Sequence, residues 1–272
     1  MKNLKMFCLS LEPKHVNYIK SLNYTPVILG DKIPPEHCLS DKIGENIAQK
    51  NKYYGEYTFH YWLWKNYLEK IEEDWIGFCQ YRKYWSLKFS SNKEINLENL
   101  KDKTLKEIPK GFENFEVILG TPFFVNQRKI MKFIKKGFPL IISNPKILFN
   151  SNSRNIKFHF DLMHGRNNLD KAIDLLDHEN KEDFRRFVNQ EISFNPHNMF
   201  ICNSKKLLRS YYEEIFPWLK KCEQLFGFEN LKGYGLTRIY GFLAERFMSY
   251  WFKKNTNFKE LPILFYDIND QL

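Results

Sequence analysis

Residues Asp41–Asn66 read DKIGENIAQKNKYYGEYTFHYWLWKN, and Trp75–Trp85 read WIGFCQYRKYW. The first stretch combines a glycine turn with charged and amide side chains and then continues as an aromatic helical pattern. The second is a continuous apolar run, typical of a strand buried on both faces of a parallel sheet, and it ends in cationic and aromatic residues. So many specific polar groups beside so much apolar sequence predict a site for a polar, anionic ligand.

Other short apolar runs on both sides of these stretches predict further strands. They are MFCLSL (6–11), TPVILGD (25–31), FEVILGTPFFV (115–125) and the end of ISFNPHNMFIC (192–202). The polar, lysine-rich residues 86–113 are expected to be mostly loop, and helical patterns dominate from about residue 151 to a last helix over 236–252. We therefore predict an α/β fold with a mixed, mostly parallel central sheet flanked by helices and a helical C-terminal part. No linker composition interrupts the chain, so we expect one domain over 1–272.

Composition narrows the classes of partner. The formal net charge of +10 over 272 residues favours an anionic partner, which includes nucleotide phosphates, nucleic acid and an acidic membrane surface. The five cysteines are odd in number and scattered, so zinc and disulfide frameworks are not expected and a reducing cytoplasm fits. No apolar run approaches the ~18 residues of a spanning helix, and the start of the chain is interpreted as a strand rather than a signal peptide.

The first stretch supplies most of the candidate binding residues. Gly44 permits a sharp turn, and a helix is expected to begin near Asn46, which forms a capping-box pattern with Gln49. Free N–H groups at such a helix start bind phosphate or sugar hydroxyls. The alternative is a capped surface helix with a solvated charged face. The candidates are Asp41, Glu45, Asn46, Lys50, Asn51 and Glu56.

The second stretch places Gln80, Tyr81, Arg82 and Lys83 just after a predicted strand. Ligands of open α/β sheets bind beyond the carboxyl ends of the strands, where Arg82 could form two hydrogen bonds to a diphosphate and Lys83 could add a charge. The alternative is that Arg82 pairs with a carboxylate inside the fold. If the two stretches share one site, Arg82 lies at the mouth of a cleft near Lys50 or Asn51.

The later candidates are less specific. Asn198 follows a proline turn, where an amide can bind sugar hydroxyls or simply hold its own turn. Arg238 and Glu245 are seven residues apart on one helix face around Gly241, and Arg238 and Arg246 are candidates for binding the substrate. The alternative is that Glu245 pairs with Arg246 inside the fold. His164 is a lone histidine, which in most proteins is structural.

Together these segments resemble the bacterial capsule and O-antigen glycosyltransferase family first catalogued as domain of unknown function 4422. The family pattern runs GDNIS-x-KN-x-x-Y-x-E-L-T-x-x-YW-x-WKN, then IG-x-x-HYRRY, NMFI and G-x-x-x-ER. This chain has GENIAQKNKYYGEYTFHYWLWKN, IGFCQYRKY, NMFI and GFLAER in the same order. It departs from the pattern at Gln80 and Lys83, where the family has histidine and arginine. It also has SLEPK over 10–14, where the family's first strand ends in a His-Lys pair.

The resemblance implies an A-type fold and transfer of a sugar, such as galactofuranose from UDP-galactofuranose, to a growing glycan on a lipid carrier. Residues 1–125 would form the nucleotide-sugar-binding half, and 126–272 the mostly helical acceptor side. In an inverting transfer a carboxylate deprotonates the acceptor while cations stabilise the departing diphosphate. We expect Glu245 or Asp41 as the base and Arg82, Lys83 and Arg238 as the cations. The candidate donor-positioning residues are Asp41, Glu45, Asn46, Lys50 and Asn51.

Two further expectations concern metal and membrane. No Asp-x-Asp pair follows an apolar strand, and the residues after WIGFC are neutral or cationic, so we expect no divalent metal and no other cofactor. The segment 128–138 combines apolar residues with Arg128, Lys129, Lys132, Lys135 and Lys136, which predicts weak peripheral contact with an anionic inner membrane. The alternative is a helix packed on the core with a solvated basic face.

Two alternatives to an active transferase remain at the level of sequence. A basic nucleic-acid-binding protein would use the lysines and aromatic residues for phosphate contact and stacking. Its basic residues, however, would be expected to cluster, whereas here they are dispersed among numerous acidic ones. An inactive sugar-binding relative is suggested by Gln80 and Lys83.

Overall fold

The structure, a computed structural model, describes residues 3–90, 94–127 and 149–270. Among these residues a nine-stranded sheet forms the centre of the molecule, and a separate hairpin pairs β7 with β8. The strands are β1 (Leu4–Ser10), β2 (Thr25–Ile28), β3 (Leu39–Ser40), β4 (Trp75–Gln80), β5 (Lys83–Trp85), β6 (Val117–Gly120), β7 (Phe123–Phe124), β8 (Ser193–Phe194), β9 (Phe200–Cys202), β10 (Phe258–Leu261) and β11 (Ile263–Phe265).

The main sheet is mixed and mostly parallel, which confirms the predicted fold class. Its order is β10-β6-β9-β4-β1-β2-β3, and β5 joins β4 to β11 at one end. Along the seven-strand path, both antiparallel pairs involve β9, while the other neighbours run parallel. The amino end of β9 therefore lies at the same edge as the carboxyl ends of β1, β2, β4 and β6.

The strands are apolar on both faces because both faces of the sheet are covered. Phe7 and Leu9 of β1 belong to one hydrophobic cluster, whereas Met6 and Cys8 belong to a second. Successive strand residues point to opposite faces, so these clusters are the two sides of the sheet. The continuous apolar run of β4 follows from this burial.

Helices cover both clusters. They are α1 (Val16–Ser21), α2 (Asn51–Tyr54), α3 (Tyr57–Trp62), α4 (Leu97–Lys103), α5 (Ile156–His164), α6 (Asn168–Ile173), α7 (His178–Gln190), α8 (Lys205–Phe226), α9 (Tyr234–Thr237) and α10 (Ile239–Asn255). The long helices α8 and α10 pack on the first cluster, while α1 and α4 contribute Ile19 and Leu100 to the second. The capping pair Asn96 and Asn99 starts α4 within the region predicted to be mostly loop.

The predicted continuous helix after Asn46 is wrong in its details. Asn46 does not cap a helix. Its Nδ2 donates to the carbonyls of Lys42 and Gly44, and its Oδ1 accepts from the Ala48 N–H. A 3₁₀ turn over Ala48–Lys50 leads into α2, and Gly55, at φ 60°, ends α2 before α3 begins. A π-helical turn over Leu63–Tyr67 and a 3₁₀ turn over Leu68–Lys70 complete the segment.

The C-terminal part is helical as predicted, but it also returns to the sheet. After α10 the chain adds β10 in parallel to β6 and β11 antiparallel to β5. Both strands are short, and β10 carries Lys259 and Glu260, so neither shows the long apolar run that marks β4. The basic segment 128–138 lies outside the described residues. Within the described parts of the chain, no helix has the length and apolar character needed to cross a bilayer.

Candidate active site

A cleft lies at the edge where the parallel strands end. It has two sections, of about 50 Å³ and about 140 Å³, and Glu56, Gln80 and Arg238 line both of them. Ser10, Asn51, Gly55 and Arg82 line the first section, and Lys83, His197, Asn198, Gly241 and Glu245 line the second. The sheet edge therefore brings together residues from the early motifs and from the C-terminal helix, as the shared-site hypothesis requires.

Gln80, the last residue of β4, is the centre of a polar network between the two sections. Its Nε2 donates to Glu56 Oε1 at 3.0 Å and to the His197 carbonyl at 2.8 Å. Its Oε1 accepts from Lys83 Nζ at 3.0 Å. The other Glu56 oxygen, Oε2, lies 3.4 Å from Arg238 Nη2. Every polar atom of the Gln80 amide is thus engaged, which fixes one cation and one carboxylate at the base of the cleft.

A missing side chain at Gly55 makes room for Arg238. A Cβ atom at Gly55 would lie 2.2 Å from Arg238 Nη2, and the residue has φ 60° and ψ −132°. Glycine adopts this backbone conformation readily, whereas other residues rarely do. The break between α2 and α3 therefore serves the site, because it lets the guanidinium lie directly against the backbone.

The second section is strongly desolvated. Burial lowers the pKa of Lys83, while Glu56 and Glu245 act in the opposite direction. Burial and the nearby Lys83 lower the pKa of His197 to about 3, so its imidazole is neutral near pH 7. A cation held in such a low-dielectric site interacts more strongly with an anion than a surface lysine does.

Glu245 is clamped rather than free. Its Oε1 accepts from the His197 backbone N–H at 2.5 Å, and its Oε2 pairs with Arg246. The Arg246 side chain is 2% exposed and lies over the Phe194 ring at 4.2 Å. The sequence alternative of a buried Glu245–Arg246 pair is therefore correct, and Arg246 does not line the cleft as a substrate-binding residue would. The pair anchors the turn that carries His197.

That turn presents Asn198 to the cleft in an uncommon backbone conformation. His197 and Asn198 have φ 79° and 54°, in the left-handed region. Asn198 Nδ2 donates to the Gly241 carbonyl at 3.3 Å, while its buried Oδ1 has no hydrogen-bond partner among the described residues. Gly241 itself allows α10 to approach α2, since a Cβ there would lie 3.1 Å from the Tyr54 carbonyl oxygen.

Arg82 lies in the first section together with Asn51, which is the predicted placement. Its guanidinium lies 3.8 Å from Asp267 and 5.1 Å from the centre of the Tyr81 ring. The Arg82 side chain remains 43% exposed, so the carboxylate contact does not withdraw it from the cleft. Asn51 faces the cleft while its Nδ2 donates to the Gly55 carbonyl and to Thr58 Oγ1.

Other predicted residues lie away from the cleft. Asp41 is fully buried, and neither of its oxygens meets hydrogen-bond geometry with a described partner. Burial raises its pKa, with the nearby Thr58 hydroxyl and Gly30 backbone acting in the opposite direction. Lys50 pairs with Glu223 at 2.7 Å and lines a different cavity. For Lys50 the reason is local, because the 3₁₀ turn directs Lys50 and Asn51 to opposite sides.

Glu45, Asn46 and His164 are also separate from the cleft. The Glu45 side chain is 60% exposed and accepts from Tyr61 Oη, and Asn46 holds its own turn. His164 is buried against Phe242 and hydrogen-bonds the Gly235 carbonyl. Burial, together with Arg246, lowers its pKa to about 3.

Sequence reasoning missed several residues of the cleft. His197 lies in the stretch ISFNPHNMFIC, directly before the candidate Asn198, and it also lines the cleft. Ser10 forms a 2.7 Å hydrogen bond with the buried His15, at the end of β1 where the family pattern is altered. The sequence signal for Ser10 is its position at the carboxyl end of β1. The carboxyl ends of parallel strands meet at one edge of the sheet, and ligands bind there.

Metal ligands do not converge in the described part of the chain. Within residues 3–90, 94–127 and 149–270, no cluster of three or more His, Cys, Asp or Glu side chains has the arrangement of a metal site. The side chains that converge in the cleft include three cations, three amides and two carboxylates, a set that suits a polyanionic ligand.

Comparisons with known proteins agree with this architecture. The solved apo structure of the WbbM bifunctional glycosyltransferase superposes with a TM-score of 0.70 at 20% sequence identity, covering 97% of this chain and 45% of that one. This chain therefore spans less than half the length of the WbbM chain. The yeast (S. cerevisiae) mannosyltransferase Ktr4p gives a TM-score of only 0.33 at 9% identity, over 91% of this chain and 64% of that one, which is too low to support an argument.

No protein with a curated description matches the sequence. The sequence profile of one family, described as "Domain of unknown function (DUF4422)", matches residues 9–256. This match includes both early motifs and the whole of the cleft, and it confirms the resemblance seen in the sequence. The chain therefore belongs to the DUF4422 family.

Proposed function

We propose that this protein is a glycosyltransferase that moves a sugar from a nucleotide-sugar donor to a growing cell-surface glycan, such as a capsule or O-antigen chain. The observation that carries the proposal is the convergence of Arg82, Lys83 and Arg238 with Glu56 and Glu245 at the ligand-binding edge of the sheet. The likeness of its fold to WbbM, a bifunctional glycosyltransferase, is consistent with it.

The three cations fit the task of stabilising a leaving nucleoside diphosphate. Lys83 is desolvated, Arg238 is held against Gly55, and Arg82 reaches the mouth of the cleft. Preorganised charges aimed at developing negative charge are commonly the largest contribution to catalysis. We extend the proposal to a donor that needs no divalent metal, with UDP-galactofuranose as the candidate that the family resemblance suggests.

Glu56 is the carboxylate best placed to act as general base in an inverting transfer. Its side chain is 20% exposed and lines both sections of the cleft. The Glu245 side chain is 11% exposed and holds Arg246 and the His197 N–H, while Asp41 is sealed inside the fold. A base must come within hydrogen-bond reach of the acceptor hydroxyl, so Glu56 replaces Glu245 and Asp41 in our proposal.

The alternative of an inactive relative depends on Gln80, which replaces the histidine of the family pattern. Its neutral amide holds Glu56 and Lys83 without taking a proton, so the departure from the family pattern leaves the base and the cation in place. We therefore favour an active enzyme, acting at the cytoplasmic face of a membrane on a lipid-linked acceptor.

The test is donor binding followed by turnover. Calorimetric titration with a panel of nucleotide sugars should give binding that single-stranded RNA does not compete away, and incubation with the matched acceptor should release nucleoside diphosphate. Competition by RNA, or a failure of every nucleotide sugar to bind, would refute the proposal.

A further inference from the structure

A second cavity, here named the aromatic cavity, lies beside the cleft and is not used by the proposed reaction. Its volume is about 450 Å³, larger than either section of the cleft. It is formed by the 3₁₀ turn and the following α2, by the helical segment from α3 into the π-helical turn, and by the second half of α8. Its lining residues are Ile47, Lys50, Tyr54, Tyr61, Trp64, Lys65, Phe216, Pro217, Lys220 and Glu223.

The walls combine aromatic faces with fixed polar groups. Trp64 stacks on Phe216 with the rings 8° from parallel, and Tyr61 meets both rings edge-on. Lys50 Nζ reaches both Glu223 oxygens at 2.7 Å, and Tyr54 Oη donates to Glu223 at 2.9 Å. A sugar ring has a face of C–H groups and a rim of hydroxyls, so it matches an aromatic wall with a polar edge.

The charge of the cavity favours an acidic ligand. Lys50, Lys65 and Lys220 line it against a single carboxylate, Glu223, which Lys50 already pairs. Lys65 Nζ lies 3.7 Å from the centre of the Trp64 ring and 3.9 Å from Glu45 Oε1. Among the described residues Lys220, exposed on α8, has no ion-pair partner. A ligand carboxylate or phosphate would provide one.

Only the short segment around α2 separates the aromatic cavity from the cleft. Lys50 and Tyr54 face the aromatic cavity, while their chain neighbours Asn51 and Gly55 face the cleft. A helix with its side chains is about 10–12 Å across, so a chain of linked sugars that passes around α2 would need only a few units to reach the aromatic cavity.

We propose that the aromatic cavity is a second subsite that holds an acidic sugar unit of the glycan acceptor, several units from the reacting end. The inference rests on the proposed function and adds the acceptor's chemical class. Its role is to retain a long acidic chain between successive encounters with donor. A short acceptor would not reach the cavity and would gain nothing from it.

The first test uses binding alone, with a hexasaccharide of galacturonic acid as probe and neutral maltohexaose as its uncharged counterpart. The acidic hexasaccharide should bind at least tenfold more tightly than the neutral one. The variant Lys220→Glu should lose at least fivefold of this affinity. Its matched control is Lys221→Glu, which changes the same charge at the next position of α8, outside the cavity. There Lys221 pairs with the exposed Asp177 and donates to the Leu175 carbonyl.

A second variant, Trp64→Leu, should reduce affinity by at least tenfold while circular dichroism and donor binding stay unchanged. Equal binding of the two hexasaccharides, or equal losses in Lys220→Glu and Lys221→Glu, would overturn the inference. Donor binding measured on the same samples separates the two proposals. If nucleotide sugar binds and the acidic hexasaccharide does not, only the subsite fails, whereas loss of donor binding in the wild type refutes the transferase itself.

Discussion

At the scale of single residues, the two cleft carboxylates each have two partners, but they differ in how closely those partners hold them. Glu56 accepts from Gln80 and makes a long contact with Arg238, whereas Glu245 is held by a buried arginine and a backbone N–H. A carboxylate with buried partners is costly to replace, because its removal leaves those partners unpaired. Loss of Glu245 should therefore act on folding, and loss of Glu56 on chemistry.

The first prediction is that Glu56→Gln lowers kcat by roughly 10²–10⁴, the usual contribution of general base catalysis. Gln keeps the size of the side chain, so donor affinity should change by no more than a fewfold. Calorimetry and a diphosphate-release assay would measure the two effects. Glu213→Gln, on the exposed side of α8, is the control. Turnover that persists in Glu56→Gln but disappears in a folded Glu245→Gln would assign the base to Glu245.

The second prediction is that Arg82→Ala weakens binding of the nucleotide sugar about ten- to a hundredfold. This corresponds to losing one charge-assisted hydrogen bond, worth about 1.5–3 kcal/mol. Arg186→Ala provides a control because that side chain is 65% exposed on α7, remote from the cleft lining. Calorimetric titrations that agree for Arg82→Ala and the wild type would show that Arg82 serves only its contact with Asp267.

At the scale of secondary-structure elements, breaks in regular structure build the site. Gly55 separates α2 from α3, and the strained turn at His197 precedes β9. Each break directs a polar group into the cleft that a continuous element would have pointed elsewhere. Backbone strain of this kind persists when surrounding contacts determine it, as the Glu245 carboxylate does for His197.

The third prediction concerns Gly55→Ala, which should weaken donor binding by displacing Arg238 in addition to destabilising the fold. The control is Gly227→Ala, because Gly227 has a similar backbone, φ 59° and ψ −153°, yet no heavy atom lies within 4 Å of its Cβ position. Both variants should lose about 1–3 kcal/mol of unfolding free energy. Only Gly55→Ala should lose affinity as well, and equal donor affinity in the two variants would exclude the proposed role of the break.

The fourth prediction belongs to the end of β4, where the adjacent side chains are an amide and two cations. A divalent ion requires hard anionic oxygen ligands, and two neighbouring cations repel it. Donor binding should therefore be the same in excess chelator and in millimolar manganese. Binding that appears only with manganese in a calorimetric titration would contradict the proposal.

At the scale of the whole molecule, the dense core determines how stability depends on pH. His60, His164 and His197 each have a pKa lowered to about 3, mainly by burial. The unfolded chain binds protons at these histidines near pH 6.5, while the native state does not. Their contribution to stability is complete above pH 6.5 and is lost as the pH falls toward the native values.

The fifth prediction is that the free energy of unfolding drops steeply between pH 7 and pH 5, by up to about 2 kcal/mol for each of the three histidines. Denaturant titrations at the two pH values would measure it. His164→Asn, which can keep the hydrogen bond to Gly235, should remove about a third of the drop. Replacement of the exposed His178 should leave the drop in unfolding free energy unchanged. A drop that is identical in wild type and His164→Asn would contradict the explanation.

Sequence alone determined the fold class and several of the residues that line the cleft at the sheet edge. The continuous apolar run of β4 required burial on both faces, and strand ends in parallel sheets meet at one edge, so Gln80, Arg82 and Lys83 could be placed in the cleft. Helical spacing predicted that Arg238 and Glu245 lie on one side, and both line the second section of the cleft, although Arg238 precedes α10 rather than lying within it. These inferences depend only on local periodicity, which the sequence displays directly.

Only the tertiary structure decided which polar residues of the first motif face the cleft. Lys50 and Asn51 are neighbours in sequence, yet one pairs with Glu223 and the other lines the cleft, because a 3₁₀ turn and Gly55 replace the continuous helix that the pattern predicted. Burial of Asp41, the clamp on Glu245 and the return of β10 to the sheet are likewise set by partners distant in the chain. Contacts between distant segments leave no periodic trace in the sequence, so spacing could not reveal them.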